Sequence, residues 1–282
     1  VRAAVERLAD PALDGRATGS AGDRAARAYL VERFRCLSLA PGGRDGAFEQ
    51  PLTVDARATA NVIGLAPGRG ALADQIIVVG AHHDHLGDGH LGANDNASGV
   101  AALLEIARDL TGRPAEAAPR RTVAFVAFAG EELGLHGSAW LAAHPPPAVP
   151  LERVVYDVNL DMVGSYASTG LVAAMGTFRG TAARPIVEAL AAARPALHVG
   201  LGGRGVGSDH EAFCAAGIPY VFFWTPDRRC YHARCDTADR VDTAHLSAIA
   251  ALAGGLVDQL AATPTDLAGA RATRGCTGAR RR

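Results

Sequence analysis

The chain has 282 residues, 49% of them hydrophobic and 20% charged, and its 28 basic and 29 acidic residues leave a formal charge of −1. That composition excludes disorder throughout, and the near-zero charge argues against a nucleic-acid protein held by bulk positive field. A chain this long closes a core without staples, so a metal here is expected to serve chemistry rather than folding. Every basic residue is Arg, and the unbroken apolar runs are too short for a membrane span. Five cysteines, an odd number, exclude a disulfide-dense scaffold. Cys230 and Cys235 lie five apart around Tyr231 and His232, a spacing open to a local bridge or to two free thiols; Cys36, Cys214 and Cys276 have no evident partner. The opening residues carry charge within the first seven and lack an apolar stretch, so the chain is expected to be cytoplasmic or already trimmed of a signal.

Taken in chain order, Ala3, Val5 and Leu8, then Ala25, Ala28, Tyr29, Val31 and Phe34, recur at helical spacing on either side of a glycine-rich break. Residues 39–48 read as loop and 59–68 as a strand entering a turn. Residues 75–85 form a buried strand that stops at a polar cluster. An amphipathic helix covers 97–110 and ends at Gly112. Buried strands follow over 121–132, ending in two carboxylates, over 153–164, ending at Asp161, and over 218–224. Residues 243–262 form the closing helix. Apolar strands alternating with helices predict an α/β fold, a mostly parallel sheet covered on both faces. The expected organisation is one domain over 1–265 and a basic, solvated, disordered tail over 266–282, with no internal repeat.

Ligand sites in such sheets lie beyond the carboxyl ends of the strands, and His82, Asp84, Asp95, Glu131, Glu132 and Asp161 fall there, with His232 in a late loop. Imidazole and carboxylate donors suit zinc without any thiolate. His82 and Asp84 share one side of a strand, so one can bind metal while the other orients it. Two adjacent carboxylates at a buried strand end repel unless a cation or a shared proton intervenes. Any one of these residues alone reads more simply as a hydrogen-bonded His or a solvated Glu; their joint placement at strand ends is what points to a site.

The runs VVGAHHDHLG, GANDNASGVAALLE, FAGEELGLHGS, NLDMVG and YHARCDTADRVD resemble, in order, the motifs of the di-zinc aminopeptidases, the bacterial leucyl and Streptomyces-type family; the resemblance extends from about residue 7 to about 260. It implies a zinc-exopeptidase fold with two zinc ions per chain, His82 and Asp161 holding one, Glu132 and His232 the other, and Asp95 bridging both, with a cis peptide after it. Asp84 would orient His82. Glu131 would be the general base acting on a zinc-bridging hydroxide, and Tyr231 would hydrogen-bond the developing oxyanion. The resemblance also implies a disulfide between Cys230 and Cys235. The reaction implied is hydrolysis of the N-terminal peptide bond of peptides with a free α-amine, by a periplasmic or secreted monomer, cytoplasmic location being the alternative.

GLGGRG (200–205) matches a dinucleotide-binding pattern but lacks the surrounding strand–turn–helix unit, so a loop beside the substrate is expected. GSDHEAF (207–213) resembles a family stretch with Ala212 where Pro is usual; Ser208, Asp209, Phe213 and Phe223 are candidate substrate-pocket residues, and Phe222 and Trp224 could line an apolar pocket with Phe213 and Phe223, core packing being the alternative for residues in a β run. His85 stands where many members carry Ser and is read as supporting or exposed rather than ligating. The competing functions are a glutaminyl-cyclase-like or carboxypeptidase relative of the same fold and, from another class, a non-catalytic binding domain. No nucleophile elbow supports a serine hydrolase.

Overall fold

The computed structural model describes residues 1–113, 121–205 and 207–269. Within these, strands β1 (Ala40–Pro41), β2 (Glu49–Val54), β3 (Arg57–Ala66), β4 (Ile76–His82), β5 (Thr122–Phe128), β6 (Val154–Leu160), β7 (Val172–Met175), β8 (Val199–Leu201) and β9 (Tyr220–Trp224) form one sheet. Its order is β1-β3-β5-β4-β6-β9-β7-β8, with β2 also paired to β3. The middle, β5-β4-β6-β9, is parallel, as is the β7–β8 pair; β3 joins β5, and β7 joins β9, antiparallel. The fold is thus α/β with a mixed sheet, the parallel register holding where the site lies.

Burial on both faces explains the apolar runs. Along β4 the side chains alternate: Ile77, Val79 and Ala81 enter the larger core, and Ile76 and Val78 the smaller one. Helices α1 (Arg2–Leu8), α2 (Ala21–Cys36) and α3 (Gly99–Thr111) cover the first face, and α4 (His136–Ala143) covers the second. The short α5 (Tyr166–Thr169) and then α6 (Ala183–Ala192) follow; α7 (His210–Ala215) joins the second face and α8 (Thr243–Ala262) the first. The α2 start is set by Ser20, whose hydroxyl accepts from the Asp23 N–H, and the α8 start by Asp242, which accepts from the His245 N–H. Helix α8 is long and apolar enough to cross a membrane, with mean hydropathy 1.3, but Leu246, Ile249, Leu252, Leu256 and Leu260 are core residues.

The folded chain also runs past 265. Arg121 donates to the Leu260, Thr263 and Thr265 carbonyls, and Leu267 is fully buried in the core, so the chain packs with the domain beyond the expected boundary at 265. Residues 270–282, Cys276 among them, lie outside the described residues.

Arg16 fastens the N-terminal segment to the site. It is fully buried; its Nε donates to the His83 carbonyl at 2.7 Å, Nη1 to the Leu8 and Leu91 carbonyls, and Nη2 to the Gly92 carbonyl at 2.9 Å. One side chain therefore joins α1 to the segments on either side of the first polar cluster. Removing it strands buried carbonyls, each of which is costly without a donor. Arg16→Leu is expected to lower unfolding stability by about 3 kcal/mol, read as a fall in the urea midpoint at constant slope.

Candidate metal centre

Four chain segments deliver the site at the carboxyl ends of the parallel strands: His82 ends β4, Glu131 and Glu132 follow β5, Asp161 follows β6, and Asp95 sits in the turn 93–98 that leads into α3. His232 comes from the loop after β9. The turn carrying Asp95 is buried and polar, so each group needs a partner. Asn96 donates to the Leu160 carbonyl at 2.9 Å, and its Oδ1 accepts from the N–H groups of Gly99 and Met162. Ser98 accepts from Val163 N–H at 3.0 Å and Asn94 from Gly164 N–H at 2.8 Å. Gly99 is required where α3 meets β6: a Cβ there would lie 2.3 Å from the Leu160 carbonyl oxygen. The Asp95–Asn96 peptide is cis.

The Asp95 carboxylate lies between two imidazoles. Its Oδ1 is 3.3 Å from His82 Nε2 and its Oδ2 is 3.3 Å from His232 Nε2. His82 Nε2 is also 3.3 Å from Asp161 Oδ1 and 4.0 Å from Glu131 Oε2. His232 Nε2 is 2.9 Å from Glu132 Oε2. Donor atoms of His82, Asp95 and Glu132, and of His82, Glu131 and Asp161, converge within 4.8 Å of one another, close enough to share a cation. His82 Nδ1 faces the Asp84 carbonyl at 3.1 Å, which leaves the Nε2 lone pair turned toward the carboxylates. The donor set therefore fits zinc: nitrogen and oxygen ligands, buried, with a ring nitrogen oriented from behind.

The Asp84 carboxylate has a different task from the one the resemblance implies. Its Oδ1 is 3.9 Å from His82 Nδ1, beyond a good hydrogen bond; it accepts instead from Glu131 N–H at 3.1 Å, Glu132 N–H at 3.4 Å and the Thr18 hydroxyl at 3.0 Å. The carbonyl of Asp84 orients His82 while its carboxylate holds the backbone of the glutamate pair.

Charge balance in this chain shows the demand for a cation. Burial drives the Glu131 carboxyl up to about 10 against the pull of His82, with help from the charges of Asp161, Asp209 and Glu132. Hydrogen bonds to Asp95 and Glu132 raise His232 to about 10. Burial opposes a charge on His82, but Glu131 and Asp161 outweigh it and raise its pKa. Burial likewise opposes ionised Asp95, and the hydrogen bonds with His232 and His82 reverse it, holding Asp95 below the usual carboxylate range. The cluster thus recruits protons wherever no other positive charge is at hand.

A cleft of about 450 Å³ opens over the centre, lined by Asp95, Glu131, Asp161, Tyr231 and His232 and walled by Met162, Met175, Phe222 and Trp224. Tyr231 is half-exposed, its ring stacked on His232 at 3.8 Å. The expected pocket residues Ser208, Asp209, Phe213 and Phe223 are not on the wall: all four are fully buried. Strand alternation gives the reason in β9, where Phe222 and Trp224 face the cleft and Phe223 faces the core. Phe213 packs on Phe128. Ser208 donates to Asp161 Oδ2 at 2.7 Å and accepts from Asn159, so it holds Asp161 from beneath. Burial pushes the Asp209 carboxyl up to about 7. Cys230 and Cys235 form a disulfide around Tyr231 and His232; Cys214 is disulfide-bonded as well, and Cys36 is an exposed free thiol.

Sequence reasoning passed over Asp236, although it lies in the last motif. Its carboxylate accepts the N–H groups of Asn94 at 2.7 Å and Asp95 at 2.9 Å, tying the His232 loop to the Asp95 turn. Of the two places expected for His85, supporting or exposed, the structure gives the supporting one: it is buried, with Nδ1 2.6 Å from Glu132 Oε1.

An α/β sheet that gathers four carboxylates and two imidazoles over the ends of its parallel strands defines a candidate metallohydrolase. The chain belongs to Peptidase family M28, whose description matches residues 61–257. Aminopeptidase YwaD of Bacillus subtilis is 38% identical over 105 residues, 37% of this chain and 22% of that protein, so the match spans about a fifth of the relative's length. The structure of BSAP, a zinc aminopeptidase from Bacillus subtilis, superposes with TM-score 0.76 at 18% identity over 95% of this chain and 96% of that one. A glutaminyl cyclase from Porphyromonas gingivalis gives TM-score 0.74 at 21% identity over 92% and 96%. At those identities the likeness establishes the fold. The aminopeptidase from Aneurinibacillus sp. strain AM-1 is 31% identical with TM-score 0.63, over 75% of this chain and 50% of that one.

Asp236→Ala is expected to weaken zinc binding 10- to 100-fold by freeing the Asp95 turn, measured by competition with a chromophoric chelator.

Proposed function

We propose that this chain is a zinc aminopeptidase that holds two zinc ions and removes N-terminal residues from peptides. The observation that carries the reading is the Asp95 carboxylate, one oxygen toward His82 and the other toward His232, with Glu131 beside the cluster. His82 and Asp161 would hold one ion, Glu132 and His232 the other, and Asp95 both. Bound there, zinc supplies Lewis-acid polarisation of the scissile carbonyl and lowers the pKa of water toward about 7.

The chain's own residues do the rest. Glu131 takes the proton of the attacking water and passes it to the leaving amine. The Tyr231 hydroxyl, at the cleft wall, donates a hydrogen bond to the carbonyl oxygen as charge develops on it. The carboxylates of Glu131, Asp161 and Asp227 in the cleft face the substrate's α-ammonium, which an internal peptide bond lacks. Met162, Met175, Phe222 and Trp224 offer the first side chain an apolar wall, favouring large apolar residues. The disulfide at the cleft mouth supports a periplasmic or secreted location, where such bonds persist. The peptide is the only partner this reading requires.

Two measurements test it. A panel of aminoacyl chromogenic amides should be cleaved, lose cleavage with chelator and regain it with added zinc. Chelator-insensitive cleavage, or cyclisation of N-terminal glutamine without release of free residues, overturns the proposal. Glu131→Ala is expected to keep its metal content and lose at least 100-fold in kcat. Tyr231→Phe is expected to lose about 100-fold in kcat with little change in KM.

A further inference from the structure

The adjacent glutamates Glu131 and Glu132 are given opposite duties above, one left free as a base and the other committed to a cation. Chemistry does not distinguish them; their surroundings do. The backbone N–H groups of both face Asp84, so the difference must arise at the side chains.

His85 supplies it. Its Nδ1 is 2.6 Å from Glu132 Oε1 but 4.0 Å from Asp95 Oδ2, so the contact is directed at one carboxylate. The second oxygen of Glu132 then faces His232 Nε2 at 2.9 Å. The His85 ring is held in place. It is buried, stands edge-on to His232 with centroids 5.8 Å apart, and lies against Gly92, where a Cβ would come 2.5 Å from its Cγ. Its Nε2 has no hydrogen-bond partner among the described residues. The ring's one polar contact to a side chain at hydrogen-bond distance is the donation from Nδ1–H to Glu132. Among the described residues Glu131 has no comparable donor: its carboxylate lies 4.0 Å from His82 Nε2.

We propose that His85 is a positioning residue that occupies one oxygen of Glu132 through Nδ1–H, turns the other toward the His232 side of the centre, and so restricts Glu132 to ligation through a single oxygen at that cation alone. The inference rests on the two-ion reading above. It extends that reading by assigning a cause to the division of labour between the two glutamates. Orientation of a metal-bound carboxylate by a fixed donor typically contributes 10- to 100-fold in metal affinity.

The test uses the full chain with His85→Ala, His85→Asn and His85→Gln. The Asn amide nitrogen reaches the place of Nδ1; the Gln amide extends to the place of Nε2 and leaves Glu132 without its donor. Zinc is titrated against a chromophoric chelator, and the visible spectrum of the cobalt-substituted protein is recorded, neither of which depends on turnover. The expected result is that His85→Ala weakens one of two sites 10- to 100-fold, leaves the other within about twofold and alters the cobalt spectrum, while His85→Asn restores both readouts. His85→Gln is expected to behave as His85→Ala, which keeps the test decisive if the alanine variant does not fold. Unchanged affinities and spectrum overturn the proposal. So does equal weakening of both sites, or a Gln variant as good as Asn. A wild-type chain that takes up fewer than two ions overturns the underlying reading itself and the His85 assignment with it.

Discussion

The structure is organised around the cost of holding Asp95, Glu131, Glu132 and Asp161 together in a place water scarcely reaches. Two unit charges 4 Å apart repel by about 4 kcal/mol at an effective dielectric of 20, comparable to a large part of a domain's net stability. The cluster favours positive charge: Glu131 and Asp161 raise the pKa of His82 against burial, hydrogen bonds with Asp95 and Glu132 raise His232 to about 10, and burial pushes the Glu131 carboxyl up to about 10. Asp95 and Glu132 are both lowered against the cost of burial, because the two oxygens of each face an imidazole: His82 and His232 for Asp95, His85 and His232 for Glu132. The centre is therefore built to exchange protons for a more concentrated positive charge, and the sheet exists at this point to keep the carboxylates from moving apart.

What resists that separation is a set of buried polar contacts one layer beneath the ligands. Asp84 uses its carbonyl on His82 and its carboxylate on the Glu131–Glu132 backbone, so one residue sets the spacing between two strand ends. Ser208 and Asn159 hold Asp161 from below, and Asp236 holds the Asp95 turn from the opposite loop. Arg16 fixes the carbonyls on either side of the first motif. Each contact joins segments far apart in the chain, which is how strands with no sequence proximity present side chains at a common point.

Much of this was legible in the sequence where a residue's job follows from its own type and place. The long apolar runs of β4, β5, β6 and β9 and the closing helix α8 lie where the hydrophobic pattern puts them. The chemistry-bearing residues at strand ends converge as their placement requires. Strands β1, β2, β7 and β8 were not read: β1 is two residues within the expected 39–48 loop, β8 spans only Val199–Leu201, too short for a period to register, and β2 carries Pro51. Phe213, Phe222, Phe223 and Trp224 were all pocket candidates because aromaticity does not tell which way an element turns a side chain; Phe222 and Trp224 line the wall, while Phe223 faces the core from β9 and Phe213 packs into the core from α7. Asp236, Ser208 and the split role of Asp84 depend on which backbone N–H or side chain comes near in space. That is a property of the tertiary fold, and no local pattern encodes it.

The order in which the site residues occur along the chain has a consequence for synthesis. His82, Asp95, Glu132 and Asp161 are all translated before His232, the last of them, Asp161, by about seventy residues. A nascent polypeptide paused in that interval already has most of the donors but nothing to complete the far side of Asp95. The cleft also has no outer lip yet, since Tyr231 and Trp224 are still to come. The last donor of the cluster thus joins it only after the parallel strands that hold the others have been made.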